Sequence, residues 1–287
     1  EKFYVEKINI LGNFNTIEDV LRNNFIVDEG DPFNQILYNK SINKIKSLNI
    51  FKKVDTEVIE GGNPNTRIIN ISVEEKPTGE ISLGAGYGTD GSVLAGGITE
   101  KNFLGEGVTL NSNFEISSDS IKGSLNYAKP YFNNTDNTLI TSIKSIETDN
   151  LTNSGYKIST VGFSLGTKFE QYENLYFSPE IDFSLEDLTT NSSASTSLKK
   201  QEGNYTDFYF NYNLDLDNRN SSYNPSSGSR FSFFQALPIS STNNEIANSL
   251  TVTKYIPFST EIIGKSSFYF KAINSLDGSD VRISKRA

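Results

Sequence analysis

Gly86, Gly88 and Gly91, in the stretch GAGYGTDG at 84–91, have the G-x-G-x-x-G spacing that can cradle a dinucleotide pyrophosphate, and Glu106 stands near the offset of a ribose-binding carboxylate. That chemistry needs a strand that turns into a helix whose amino terminus faces the phosphates. The residues that follow, SVLAGGI at 92–98, hold two adjacent glycines and no apolar repeat of three and four, and Asp90-Gly91 is a favoured pair for a tight hairpin turn. Ahead of that turn Ile81, Leu83, Ala85 and Tyr87 alternate with Glu80, Ser82, Gly84, Gly86 and Gly88. The spacing predicts a strand with one apolar face and one very small face, and no nucleotide site.

Composition limits the other chemistries. Histidine, cysteine, methionine and tryptophan are all missing from the 287 residues. Ser-His-Asp, Cys-His, histidine-zinc and Cys-x-x-Cys sites therefore cannot form within the chain. Carboxylate pairs stand at Asp215 and Asp217 and at Glu74 and Glu75, which leaves a carboxylate-based hydrolase formally open. The stretch DLDNRN at 215–220 begins like a calcium loop, but Asn220 replaces the glycine needed at the sharp turn and Ser226 replaces the closing bidentate glutamate. The Asn133-Asn134-Thr135 sequon matters only in a eukaryotic secretory setting and arises readily by chance in so Asn-rich a chain. The expectation is a non-enzymatic protein with no metal and no cofactor.

The elements that would hold these residues belong to an acidic chain, with net charge −9 and 36% hydrophobic residues. Without a basic stripe, nucleic acid is not an expected partner. No run of about 18 apolar residues predicts a membrane helix, and no charged-then-apolar start predicts a signal peptide. The chain opens at Glu1 without an initiator methionine, which reads as a processed product or an excised fragment. Without cysteine the redox compartment is not legible.

Residues 1–76 predict a small α+β domain. KFYVEKINILG alternates Phe3, Val5, Ile8 and Ile10 and stops at Gly12-Asn13. Thr16 is the expected N-cap of a short helix over IEDVLRNNF, with Glu18 and Asp19 in its first turn. Asp31-Pro32 is expected to open a longer helix in which Phe33, Ile36, Leu37, Ile42, Ile45 and Leu48 recur at helical spacing, with Lys40, Lys44 and Lys46 at polar positions. Two strands, FKKVDTEVIEG and TRIINISVEEK, close the domain around GGNPN. The order is β-α-α-β-β.

Past Pro77-Thr78-Gly79 the period becomes two and no helix signal returns. Ile121, Gly123, Leu125 and Tyr127 alternate with Lys122, Ser124, Asn126 and Ala128. Val161, Phe163, Leu165 and Phe169 alternate with Gly162, Ser164, Gly166 and Lys168. Leu175, Phe177, Ile181, Phe183 and Leu185 oppose Ser178, Glu180, Asp182, Ser184 and Glu186, and Phe208, Phe210, Tyr212, Leu214 and Leu216 oppose Asp207, Asn211, Asn213, Asp215 and Asp217. Both a soluble sandwich and a membrane barrel hide one face in this way. Three features tilt the choice to the barrel: strand length near that of membrane strands, a small and charged second face, and aromatics gathered near strand ends at Tyr127, Tyr131, Phe132, Tyr172, Tyr176, Phe177 and Tyr255.

In this order the segments VEKINILGNFNT, EGDPF, IKSLNIFKKVDTEV, ISVEEKPTGE, LGAGYGTDG, NFLGEG and YAKPYF resemble the BamA family of outer-membrane barrel-assembly proteins over essentially the whole chain. The match runs from the last POTRA domain into the first part of the barrel. Asp217, Arg219, Pro225 and Gly228 resemble the family's D-x-R…P-x-x-G segment joining two strands. The resemblance implies a POTRA domain over 1–76 and, over 77–287, about the first ten or eleven of some 16 antiparallel transmembrane strands. The chain departs from the family by ending at GSDVRISKRA, just before the inward-folded loop with the V-R-G-F motif, and by carrying one POTRA domain, so the expected barrel is truncated.

What the resemblance implies for function is insertion and folding of other barrel proteins in the bacterial outer membrane, with the POTRA domain in the periplasm. The implied partners are unfolded outer-membrane clients, periplasmic and lipoprotein accessory subunits, and the lipid bilayer. In the family the first barrel strand, here carrying Gly84, Gly86, Tyr87 and Gly88, forms the lateral seam at which clients pair; its glycines weaken it. Glycines that make room for lumen contents or sharp curvature fit the sequence equally well. The strand containing Val54, Thr56 and Val58 is the expected POTRA docking edge for an extended segment. Alternatives are a two-partner-secretion or TamA-like translocator of the same architecture and, from another class, a soluble β-rich adhesin.

Overall fold

The computed structural model describes residues 2–88, 91–221, 224–259 and 262–286. They form two compact units, one of residues 1–82 with 98–111 and the other of residues 83–97 with 112–287.

In the first unit the strands β1 (Tyr4–Leu11), β2 (Phe51–Glu60) and β3 (Thr66–Glu75) make a sheet in the order β1-β3-β2, with the helices α1 (Glu18–Arg22) and α2 (Gln35–Ser47) between β1 and β2 in the chain. β1 runs parallel to β3 and β2 antiparallel to it. The apolar residues of β1 change parity between Val5 and Ile8 because the pairing slips between Val5 and Lys7, so both residues face the core. Glu6, at the slip, accepts from Gly62 N at 2.7 Å and Thr66 Oγ1 at 2.5 Å. The core packs Val5, Ile8, Ile69, Ile71 and Val73 of the sheet against Val20 and Leu21 of α1 and Tyr38, Ile42 and Ile45 of α2.

Both helix starts differ from expectation. Thr16 does not cap α1: the cap position is Ile17, which supplies no side-chain bond, and the Thr16 hydroxyl instead accepts from Asn102 Nδ2 at 2.8 Å. α2 does not open at Asp31-Pro32. Pro32 is bridged to Tyr4, and Asn34 caps the helix by accepting from Ile36 N at 2.8 Å and Leu37 N at 3.2 Å. The buried stripe is therefore Tyr38, Ser41, Ile42 and Ile45, and Ile36 falls outside it at 68% exposure. Ser41 is satisfied there, donating to Leu37 O and accepting from Ile26 N, both at 2.9 Å.

Eleven further strands form one sheet in which each pairs with its sequence neighbours: β4 (Gly79–Gly88), β5 (Gly91–Phe103), β6 (Val108–Ser117), β7 (Ser120–Lys129), β8 (Thr138–Asn150), β9 (Tyr156–Tyr172), β10 (Leu175–Thr190), β11 (Gly203–Asp217), β12 (Gly228–Ser241), β13 (Glu245–Pro257) and β14 (Ile263–Ser275). Lengths of 10 to 17 residues exceed the five or six usual in soluble sheets. The expected turn residue Asp90 lies outside the described residues; Gly91 takes φ +89° at the start of β5, and a strand rather than a helix follows the glycines.

Burial along these strands is inverted relative to a soluble fold. On β9 and β10, Val161, Phe163 and Leu165 pair across the ladder with Leu185, Phe183 and Ile181, and all six are exposed. The opposite face buries Ser164, Ser184, Glu186, Asp207, Asn211 and Asp215. A soluble sandwich would bury the first set, whereas a bilayer covers it and a wet lumen solvates the second. Strand direction also brings Tyr127, Tyr172, Tyr176 and Tyr255 to one rim, since they lie near the ends of β7, β9 and β13 and the start of β10.

Candidate functional site at the two sheet edges

Among the described residues β4 pairs with β5. Its side chains Ile81, Leu83 and Tyr87 stand out at 80%, 74% and 87% exposure. A Cβ on Gly84 would meet only Ala95 O, at 4.0 Å, and one on Gly86 would meet nothing within 4 Å. Neither glycine has the positive φ or the close neighbour that forces glycine elsewhere in the chain. Gly88 ends the strand. The two residues thus leave a bare stretch of backbone on β4.

The small sheet has two outer strands, and they are not equivalent. The edge of β1 is occupied: Val5 N donates to Asp31 O at 2.9 Å, Gly30 N to Val5 O at 2.7 Å, Ile8 N to Glu29 Oε1 at 2.9 Å, and Arg22 Nη2 to Ile8 O at 3.1 Å. On β2, Gly61 N donates to Thr66 O at 3.0 Å, which fixes the alternation of the β2–β3 ladder. Glu57 and Ile59 then bond inward to β3, and the backbone groups of Val54, Thr56 and Val58 point outward. The same three side chains are half-buried on the helix-covered face.

The carboxylate pairs are bound up in local structure. Asp217 holds Arg219 by two bonds, 2.7 Å from Nε and 2.6 Å from Nη2, and Asp215 holds Arg230 at 2.9 and 2.5 Å. Gly228 takes φ +97°, and a Cβ there would lie 2.2 Å from Asn218 O. Asn218 N donates to Ser229 O at 2.9 Å, and Asn220 Oδ1 accepts from Ser226 N and Ser227 N, folding the connection that contains Pro225. Glu74 pairs with Lys52, while Glu75 accepts from Asn15 N and Thr16 N. No group of three or more metal-ligating side chains comes together among the described residues.

One cluster has no counterpart in the sequence reading. Arg282 is fully buried, 2.5 Å from Asp207 and 3.5 Å from both Glu186 and Glu245, with its guanidinium 4.5 Å above the Tyr205 ring. Around it Arg282 N donates to Glu245 Oε1, Ile283 N to Gln201 Oε1 and Ser284 Oγ to Glu186 Oε1. Glu186 and Asp207 were legible as members of the polar strand faces, but nothing in VRIS marks Arg282 as their common partner.

Comparison with known proteins bears out the resemblance carried by the motifs. Residues 3–76 match the POTRA family, described as surface antigen variable number repeat, and residues 102–286 match the Omp85 superfamily domain. The outer membrane protein assembly factor BamA of Neisseria meningitidis serogroup B is 30% identical over 46% of this chain and 17% of its own length. The crystal structure of BamA from Haemophilus ducreyi lacking POTRA domains 1–3 aligns with TM-score 0.76 and 25% identity over 97% of this chain and 57% of that one. CdiB from Acinetobacter baumannii aligns over 96% of this chain and 53% of its own with TM-score 0.60 and 12% identity, a likeness of fold alone. The chain thus spans about a sixth of that curated relative and just over half of the solved chains. With the two family matches in this order and together spanning most of its residues, the chain belongs to the Omp85 superfamily, as an outer-membrane β-barrel protein preceded by a periplasmic POTRA domain.

Proposed function

We propose that the protein inserts and folds β-barrel clients in the outer membrane, with β4 as the seam at which a client strand pairs and β2 as the edge that first receives an extended client segment. The observation that carries this reading is that Gly84 and Gly86, on the first strand of the large sheet, meet no packing need for glycine. A weakly braced edge can exchange its partner for an incoming strand at low cost, because one set of ladder hydrogen bonds replaces another. The work is exchange of noncovalent pairing, so it requires no nucleophile, metal or cofactor. The outward groups of Val54, Thr56 and Val58 supply a second edge of the same kind, and the occupied edge of β1 favours β2 over it. Periplasmic and lipoprotein accessory subunits belong to this reading as partners in a barrel-assembly complex.

The test is reconstitution of the full-length protein in lipid vesicles with a urea-unfolded client barrel, following client folding by its heat-resistant gel mobility. Client folding should be faster than in empty vesicles of the same lipid. Equal rates would sink the assembly reading and leave the translocator alternative, for which a secreted polypeptide is the substrate.

A further inference from the structure

We propose that the lipid-facing surface of β12, β13 and β14 holds one anionic phospholipid of the periplasmic leaflet, with its phosphate on Lys254, Ser229 and Ser266. The ladder register puts these three residues in one row, because Lys254 stands directly opposite Ser229 on β12 and Ser266 on β14. The row lies outside the lumen. Arg230, Thr253 and Ser267, each next along its strand, form the adjacent row on the lumen face, where Asp215 holds Arg230. Alternation therefore places Ser229, Lys254 and Ser266 on the same face as Phe231, Val252 and Phe268. The strands after the periplasmic POTRA domain run up and down in turn, so β13 ends at the rim where β4 begins, and Lys254 stands near that end.

A cation on the lipid face must reach water or an anion. Lys254 and Ser266 are exposed, and among the described residues no carboxylate pairs with Lys254. The anion that a bilayer offers near its rim is the phosphodiester of its headgroups, and an uncompensated ammonium favours those of net negative charge. The surroundings supply the rest of a lipid site. On the bilayer side the next lipid-facing row is Leu216, Phe231, Val252 and Phe268, an apolar floor for acyl chains. On the rim side the Phe258 ring stands over Gly264, where a Cβ would strike it, so an aromatic edge closes the row at the interface. Neighbouring strands lie about 4.8 Å apart. At that spacing an ammonium and two hydroxyls on three strands can donate to different oxygens of one phosphate.

The chain contains no tryptophan, so Phe268→Trp places a reporter one row from Lys254. The full-length protein carrying it is reconstituted without client in phosphatidylcholine vesicles, and its emission is taken as the difference from the parent. A small fraction of the lipid is either phosphatidylglycerol brominated near the carbonyl end of its chains or phosphatidylcholine brominated in the same way. Phosphatidylglycerol should quench several-fold more strongly. Adding Lys254→Gln, an exposed change that puts folding at little risk, should abolish this preference, and Lys265→Gln, on the lumen face of β14, should leave it in place. Equal quenching by the two lipids would overturn the site. So would a preference that survives Lys254→Gln, or one lost equally in Lys265→Gln. A preference that vanishes in inorganic phosphate but not in chloride of equal ionic strength would assign the row to free phosphate and overturn the lipid. No client enters the assay, so its outcome is separate from that of the assembly activity.

Discussion

Arg282 Nη2 and Asp207 Oδ2 stand 2.5 Å apart with neither side chain open to solvent, across 75 positions of sequence. Two further carboxylates, Glu186 and Glu245, flank the same cation, so its removal leaves three acids on β10, β11 and β13 with Lys285, 3.2 Å from Asp207, as their remaining cation. Breaking a buried ion pair from one side typically costs about 3–5 kcal/mol, because the partner charge is stranded. Arg282→Ala should therefore lower the thermal unfolding midpoint of the detergent-solubilised protein well beyond what Arg219→Ala does. Adding Asp207→Asn to Arg282→Ala should recover part of the loss. An additive double variant would mean that the pair is not coupled.

The two faces of the β2 backbone give opposite expectations for proline. Val58→Pro removes an outward-pointing donor and should leave the domain folded while weakening capture of an extended client segment. Glu57→Pro removes a bond to Asn70 in the ladder and should destabilise the sheet by at least about 1 kcal/mol, the worth of the lost bond before strain is added. Client cross-linking to the POTRA domain and thermal melts of both variants check the pair. A folded Val58→Pro protein that captures clients normally would move the docking edge elsewhere.

At the seam, Gly86→Val places its side chain in open space and adds β propensity, so the variant should fold with equal or higher stability. If a loosely held β4 is what clients exploit, their folding in proteoliposomes should slow several-fold. Unchanged client rates in a folded, stiffer variant would leave these glycines without a role in exchange. Gly105→Ala is the contrasting case: its Cβ would collide with Asn15 O, so that variant should lose stability instead.

Periodicity made most of the architecture legible. The shift from a helical repeat in α2 to strict alternation after Gly79 marks both the β-α-α-β-β order and the run of long strands that follows it, since burial on one face leaves a record at every second or every third and fourth residue. Details set by single hydrogen bonds left no such record. Asn34 rather than Pro32 starts α2 because its side chain reaches two free amides, and Thr16 is drawn from its expected cap by Asn102, 86 positions away. The slip in β1 shows only as a change of parity between Val5 and Ile8. The Arg282 cluster is the extreme case: alternation marks Glu186 and Asp207 as members of polar strand faces, but nothing in the sequence joins them to Glu245 and Arg282. Both candidate edges were named from the sequence, but the reason to prefer β2, namely the occupation of β1 by Glu29, Asp31 and Arg22, depends on contacts between distant segments.

Glu75 ties the loop of Asn15 and Thr16 to the end of β3, and its protonation gives that tie a pH limit. Burial alone would raise its carboxyl, but hydrogen bonds from Thr16 and Asn15 more than offset this and hold it below the usual carboxylate range. A folded value below the unfolded one means that the charged form is bound more tightly in the native state. Its stabilisation is fully present above the unfolded value of about 4.3 and is lost as pH falls through the folded value. Between neutrality and about pH 5 the loop should hold its protection, and it should loosen only at lower pH. Hydrogen exchange of the peptide spanning 12–17 in the full-length protein, corrected for intrinsic rates, reads this directly. Glu75→Gln should show reduced protection already at neutral pH and little further change on acidification, since the titrating group is gone. Full protection in Glu75→Gln, or an unaltered acid response, would show that another contact holds the loop, with the Ile17–Gly105 bond the first to examine.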